Sequence, residues 1–298
     1  MMKELGETME LAKFGPAGNP DAFYEAGFKA SVDIPGWLSR LRLAAYEYQC
    51  GRGVNVGEKT AGAIGKAAAE QNIALSIHAP YYINLATEDE SLAANTENHI
   101  LKSLQAARWM GADRVIFHMG SPGKSSRQAA MDRAKHRLSG VLDKIERLGL
   151  SDIILAPETM GKVNQLGSLE EVVQLCKLAP NLLPAVDFGH LHAVTRGKYT
   201  DRQEFEAVFD YVQAELGEAA ACSLHIHFSR IEYTKAGEKR HWTFADEYGP
   251  PHEPFIAVIA DRKLQPRIIC ESAGTQARDA LIMQELYLRL LNKDSVAG

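Results

Sequence analysis

Ala185–His192 reads AVDFGHLH, and how this octapeptide is read decides the fold. Leu182–Val186 is a short apolar run flanked by Pro180 and Pro184, which predicts a buried parallel strand followed by a turn at Gly189. Asp187 and His190 then leave the strand together, three residues apart in a loop. Working outward, four other apolar runs end the same way. Ile73–Ile77 leads into His78, Val115–Phe117 into His118, Ile153–Ala156 into Glu158, and Ile268–Cys270 into Glu271. A further run, Ala221–His227, carries His225 and His227 on one face, because strand residues two apart point the same way. Only one of that pair need reach the strand end, and His227, the nearer, is favoured.

The recurring pattern is apolar run, turn, amphipathic stretch. The expected strands are Leu11–Phe14, Leu43–Tyr48, Ile73–Ile77, Arg114–His118, Asp152–Ala156, Leu182–Val186, Ala221–Phe228 and Arg267–Glu271. Helical periodicity falls on Gly57–Gln71, Ser91–Met110, Ser126–Leu148, Ser168–Leu178, Asp201–Leu216 and Gln276–Leu291. Such alternation implies parallel strands with right-handed crossovers. A doubly wound open sheet would concentrate its polar residues at one switch point. Here they sit at the C-terminal ends of at least six strands, and eight strands close a barrel. The expected fold is therefore α/β, a (β/α)8 TIM barrel formed as a single domain by residues 1–298, with its chemistry at the C-terminal face. Ile231–Glu253 is an unusually long connection, of the kind that tends to be functional.

Composition sets bounds. Hydrophobic residues make up 46% and charged residues 24% of 298, as in ordinary globular proteins. No run is long enough to span a bilayer, and the opening MMKELGETMELAKFG is too charged for a signal peptide, so a cytoplasmic protein is expected. Four scattered cysteines without CxxC spacing read as reduced thiols. A net charge of −5 gives no general basic footprint for nucleic acid, although bound cations would supply local positive charge.

Carboxylates and imidazoles converging on one barrel mouth suit a borderline divalent ion such as zinc or manganese. Glu158 and Glu271 follow wholly apolar runs and need a cation or a basic partner such as Lys162 to offset burial. The turn after His118, in IFHMGSPGK, lacks Walker spacing and is no phosphate loop. His192 reads as a loop residue.

In order, HAPYYINLA, FH with a glycine turn, PET, DFGH, HF and CES resemble the endonuclease IV family of apurinic/apyrimidinic endonucleases, TIM-barrel enzymes that cut DNA beside an abasic site. The resemblance runs from about His78 to Glu271. It implies a cluster of two or three zinc ions, with manganese as the alternative: His78 and His118 on the first, Glu158 bridging and catalytic, Asp187, His227 and Glu271 on the second, His190 and His241 on the third. It also implies that Tyr81, Tyr82 and Arg52 enter abasic DNA, and that metal-activated water cuts the backbone 5′ to the lesion. One motif departs. Where the family has Asp-Arg-His, this chain has Lys239-Arg240-His241, leaving the third ion without its carboxylate unless a local shift brings in Glu238.

Two other readings compete. Glu158, Asp187, His227 and Glu271 equally fit a single-ion sugar isomerase or epimerase, to which His78, His118, His190 and His241 are surplus. Lys239 instead suits a DNA- or phosphate-binding module with reduced turnover. No membrane association and no obligate protein partner are expected.

Overall fold

The computed structural model describes residues 11–297; the N-terminal stretch used above to argue against a signal peptide lies largely outside them. Eight parallel strands close a barrel. They are β1 (Lys13–Pro16), β2 (Ala45–Gln49), β3 (Ala74–His78), β4 (Arg114–Phe117), β5 (Ile154–Pro157), β6 (Ala185–Asp187), β7 (His225–Phe228) and, after a hairpin of β8 (Arg230–Thr234) and β9 (Gly237–Trp242), β10 (Arg267–Cys270). Two four-stranded halves, β1-β10-β7-β6 and β2-β3-β4-β5, are joined by the bridges Ala17 to Glu47, Leu155 to Leu182 and Glu158 to Ala185.

Strand alternation sorts the side chains into two environments. Outward-facing Phe14, Tyr46, Ile77, Val115, Leu155, Val186, Ile226 and Ile268 belong to one large apolar core under the helices. Among the described residues, two small apolar islands lie in the lumen, Ala17 with Ala45 and Ile269, and Ile116 with Ala156 and Ala185. Its wall at Gly15 is so close that a Cβ there would meet the Ala45 carbonyl oxygen at 1.8 Å. Polar side chains fill much of the rest of the lumen. At the floor, buried Arg267 reaches the Leu75 carbonyl at 2.8 Å and Asp113 at 2.6 Å. Above it lie Glu47, Ser76, His225 and His227, all with no exposed surface.

The outer helices start where capping chemistry marks them. Asp89 accepts from Leu92 N–H at 3.0 Å to open Glu90–Met110, Ser126 caps Arg127–Arg147, and Ser168 with Glu171 forms a capping box for Leu169–Cys176. All six expected helices are found. So are several unexpected ones, Asp21–Glu25, Ile34–Arg40, Glu218–Cys222 and His252–Asp261 among them. The first strand begins two residues later than expected, leaving Leu11 exposed. The seventh is shorter, because Glu218–Cys222 turns helically before Ser223. The loop expected after Val186 is in fact a helix, Phe188–Val194, with Gly189 inside it; Asp187 is its N-cap, accepting from His190 N–H at 2.7 Å. Ile231–Glu253 is likewise mostly the antiparallel hairpin rather than an irregular loop. The four cysteines are free thiols, Cys222 half-buried and the others buried. No helix among the described residues is long and apolar enough to cross a membrane.

Candidate metal centre

The strand ends bring six of the expected residues onto one carboxylate or its neighbours. Glu158, 1% exposed, follows β5 and receives His78 Nε2 at 3.1 Å and His118 Nε2 at 3.0 Å on Oε2, and His227 Nδ1 at 2.8 Å on Oε1. Lys162 is not its ion-pair partner. Glu271 Oε1 lies 3.6 Å from His227 Nδ1, and donor atoms of Glu158, Asp187, His190 and Glu271 all lie within 4.8 Å of one another. His227 rather than His225 faces Glu158 and Glu271, as favoured from its position nearer the strand end.

A third grouping forms at the mouth's edge. His190 Nε2 and His241 Nε2 each lie 3.5 Å from a Glu238 oxygen. The hairpin register explains how Glu238 arrives there. Glu232 pairs with Arg240 but Tyr233 pairs with Glu238, so Lys239 is an extra, bulged residue. Without the bulge, residues three apart would face opposite sides of the strand; with it, Glu238 and His241 share one side. Lys239 turns outward to Glu232 at 2.5 Å. The concern that Lys239 deprives this trio of a carboxylate is therefore corrected by the local shift.

The donor set fits divalent cations. Two ligands about 2.0–2.1 Å from one ion lie roughly 3.0–3.5 Å apart, the spacing seen across these groups. Asp187 Oδ2 is buried with no hydrogen-bond partner, an orphan that a cation would satisfy. Protonation compensates otherwise. Burial works against ionisation of Glu158, yet the charge of His227 and hydrogen bonds from His118, His227 and His78 hold it well below the usual carboxylate range. Burial opposes charge on His78, but the Glu158 hydrogen bond and charge lift it from 6.5 to about 9. His241 rises to about 9 against burial through Glu238, whose own carboxyl is drawn down to about 2 by His241 and His190 despite burial. Glu271, by contrast, is raised, chiefly by burial and further by the negative charge of Glu158.

Around these groups is a cavity of about 480 Å³, also lined by Tyr81, Met160, Lys162 and Gln165. Tyr81 stacks on His118 at 5.5 Å between centroids, its hydroxyl 3.3 Å from Gln49 Oε1. Tyr82 packs edge-on against His99 rather than on the donor cluster. Both tyrosines are about half exposed, at 55% and 48%, and Arg52 is exposed on the loop against which they rest. His192 is buried in the short helix, bonded to the Tyr199 carbonyl at 3.1 Å. The sequence reading missed Glu47 altogether. It is fully buried on β2, 2.9 Å from His225 and 3.0 Å from His227.

A family profile described as xylose isomerase-like TIM barrel matches residues 37–289. The chain belongs to that family. An uncharacterized protein of Methanocaldococcus jannaschii is 34% identical over 93% of this chain and 97% of its own. A probable endonuclease 4 of Streptomyces avermitilis is 31% identical over 75% of this chain and 73% of its own. Among solved structures, endonuclease IV from Thermus thermophilus superposes with a TM-score of 0.68 at 18% identity, covering 95% of this chain and 99% of that one. A D-tagatose 3-epimerase-like protein matches with the same TM-score, identity and coverages. The two structural likenesses establish the barrel alone.

Proposed function

We propose that this family member is a divalent-cation-dependent phosphodiesterase that hydrolyses the DNA backbone 5′ to an abasic site. The observation that carries the reading is the number of donor groups: His118 on one side of Glu158, and the His190, Glu238 and His241 trio on the other, exceed what a single ion needs. His78, His118 and Glu158 would hold one ion. Glu158, Asp187, His227 and Glu271 would hold a second, and His190, Glu238 and His241 a third. Zinc is the preferred ion because the donors mix imidazole and carboxylate, with manganese next.

Bound together, such ions supply a hydroxide at neutral pH and offset charge on the departing oxygen. The chain's own groups do the rest. Glu158, approached by His78 and His118 at Oε2 and by His227 at Oε1, would serve both the first and the second ion, and Asp187 is held by its N-cap bond with Oδ2 left for ligation. Tyr81 covers His118 and borders the cavity, where its ring suits stacking on an unpaired or unstacked nucleotide. Tyr82 and Arg52 extend that rim toward the duplex. The residues act within one barrel domain.

The test is a duplex carrying one abasic site, incubated with protein and added zinc or manganese. Incision 5′ to the site, lost in Glu158→Gln with the fold retained, is expected. No incision by the cation-loaded protein counts against the proposal. Binding without incision would favour the binding module. The quartet Glu158, Asp187, His227 and Glu271 alone would serve a single-ion sugar isomerase or epimerase. Epimerisation of a ketose by protein holding one ion would favour that alternative.

A further inference from the structure

We propose that Glu47, which lies outside the expected ligand set, is a positioning residue that makes His227 present Nδ1, not Nε2, to the barrel mouth. The inference rests on the reading of the mouth as a cation centre, and concerns one layer deeper in the lumen. Glu47 has no exposed surface, and its carboxylate is surrounded by four donors. Oε1 accepts from Gln49 Nε2 at 3.0 Å and His227 Nε2 at 3.0 Å; Oε2 accepts from Ser76 Oγ at 3.0 Å and His225 Nε2 at 2.9 Å. A carboxylate has about four lone-pair positions, so Glu47 is saturated. Two strand-adjacent residues aim at it because β2 and β3 pair Glu47 with Ser76, while His225 and His227 share the lumen face of β7.

The Glu47 contact favours one arrangement of His227 over that in which its Nε2 accepts from His225. With Nε2–H committed to Glu47, the ring's other nitrogen is the one available for a cation, and it points at Glu158 Oε1, 2.8 Å away, and Glu271. An imidazole so held keeps both its tautomer and its plane when an ion arrives. A cation in the deeper Glu47, His225 and His227 grouping is the rival arrangement, since those donors also cluster. Hydrogen-bond accounting disfavours it. His225 Nδ1 is buried without a partner. When Nε2 carries the proton to Glu47, Nδ1 is a bare lone pair. Were Nε2 on an ion instead, Nδ1 would carry a buried, unanswered N–H, the costlier state. The Nε2 atoms of His225 and His227 are 3.2 Å apart, within hydrogen-bond reach of each other, but each also faces a Glu47 oxygen at 2.9 or 3.0 Å, and a bare lone pair on either would oppose that carboxylate.

The test uses the full-length chain labelled with nitrogen-15 in histidine and loaded with cadmium-113. One-bond cadmium coupling at Nδ1 of His227, with Nε2 still protonated, is expected. Coupling at Nε2 of His227 or His225 would overturn the inference and place an ion in the deeper layer. Cadmium coupling at no histidine would sink the cation-centre reading, a failure distinguishable from the first. In parallel, titration with zinc alone should show Glu47→Gln weakening one bound ion by about 10- to 100-fold while the others keep their affinity. Ser76→Ala, which removes a Glu47 donor without touching His227, should leave all affinities within about twofold by the same reasoning. Equal weakening by both variants would reduce Glu47 to a packing role, and that result overturns the proposal.

Discussion

Replacing Glu158 by Gln should expose how much of the ion-free stability resides in one carboxylate. Gln keeps the volume but removes the charge that three imidazoles face, at 3.1, 3.0 and 2.8 Å. The rise of His78 from 6.5 to about 9 corresponds to about 3 kcal/mol, the lower end of the roughly 3–5 kcal/mol expected when one partner of a buried ion pair is removed. The pH dependence has a definite sign. A histidine raised on folding contributes fully below its unfolded value near 6.5 and loses that contribution as pH climbs through about 9. Glu158, lowered on folding, contributes above about 4.5 and loses it in stronger acid. The full effect therefore falls between about pH 4.5 and 6.5. Urea unfolding in the presence of chelator should show the variant about 3 kcal/mol less stable at pH 6, with the gap narrowing above about pH 6.5 and largely closed past pH 9, where His78 has given up its proton. An equal gap at pH 6 and pH 10, or none at pH 6, would refute the ion-pair reasoning.

Other expectations follow from neighbouring groups. Lys239→Ala should leave ion content and the denaturation midpoint essentially unchanged, because its ammonium is an exposed partner of Glu232, whereas Glu238→Gln should lose one ion per chain by elemental analysis. Ion affinity should climb between about pH 6.5 and 9, since His78 and His241 must shed protons to become ligands; calorimetric titration at pH 6 and 8.5 would show it, and flat affinity would argue that these imidazoles do not ligate. Asp113, drawn from 3.8 to about 2 by Arg267 and Arg114 against burial, contributes above pH 3.8 and fades in acid. Its side chain is half exposed, so Asp113→Asn should cost only about 1 kcal/mol at neutral pH in a denaturant melt, and less near pH 2.

Much of the barrel was readable because strand ends that change abruptly from apolar residues to His or Glu recur at regular intervals. His78, His118, Glu158, Asp187, His227 and Glu271 each stand at such an edge, and the fold brings them together. Glu47 was missed because it stands inside a strand, in AYEYQ, where alternation with Tyr46 and Tyr48 looks like an ordinary solvated face. Closure of the barrel turns that face inward, a tertiary fact no local period conveys. An acid and an amide two apart, Glu47 and Gln49, in a lumen-facing register were the available signal. The helix Phe188–Val194 was hidden by its length and its glycine, although Asp187 three residues before His190 is a capping arrangement. The Lys239 bulge depends on pairing across the hairpin, so the chain's order alone points to Lys239 as the occupant of a position that Glu238 takes.

Elemental analysis of protein purified in zinc, with loosely held ions removed by dialysis, tests the central claim most directly. The account predicts two or three zinc ions per chain in the wild type and fewer in Glu158→Gln. A folded wild-type chain that retains one ion, or none, would contradict it.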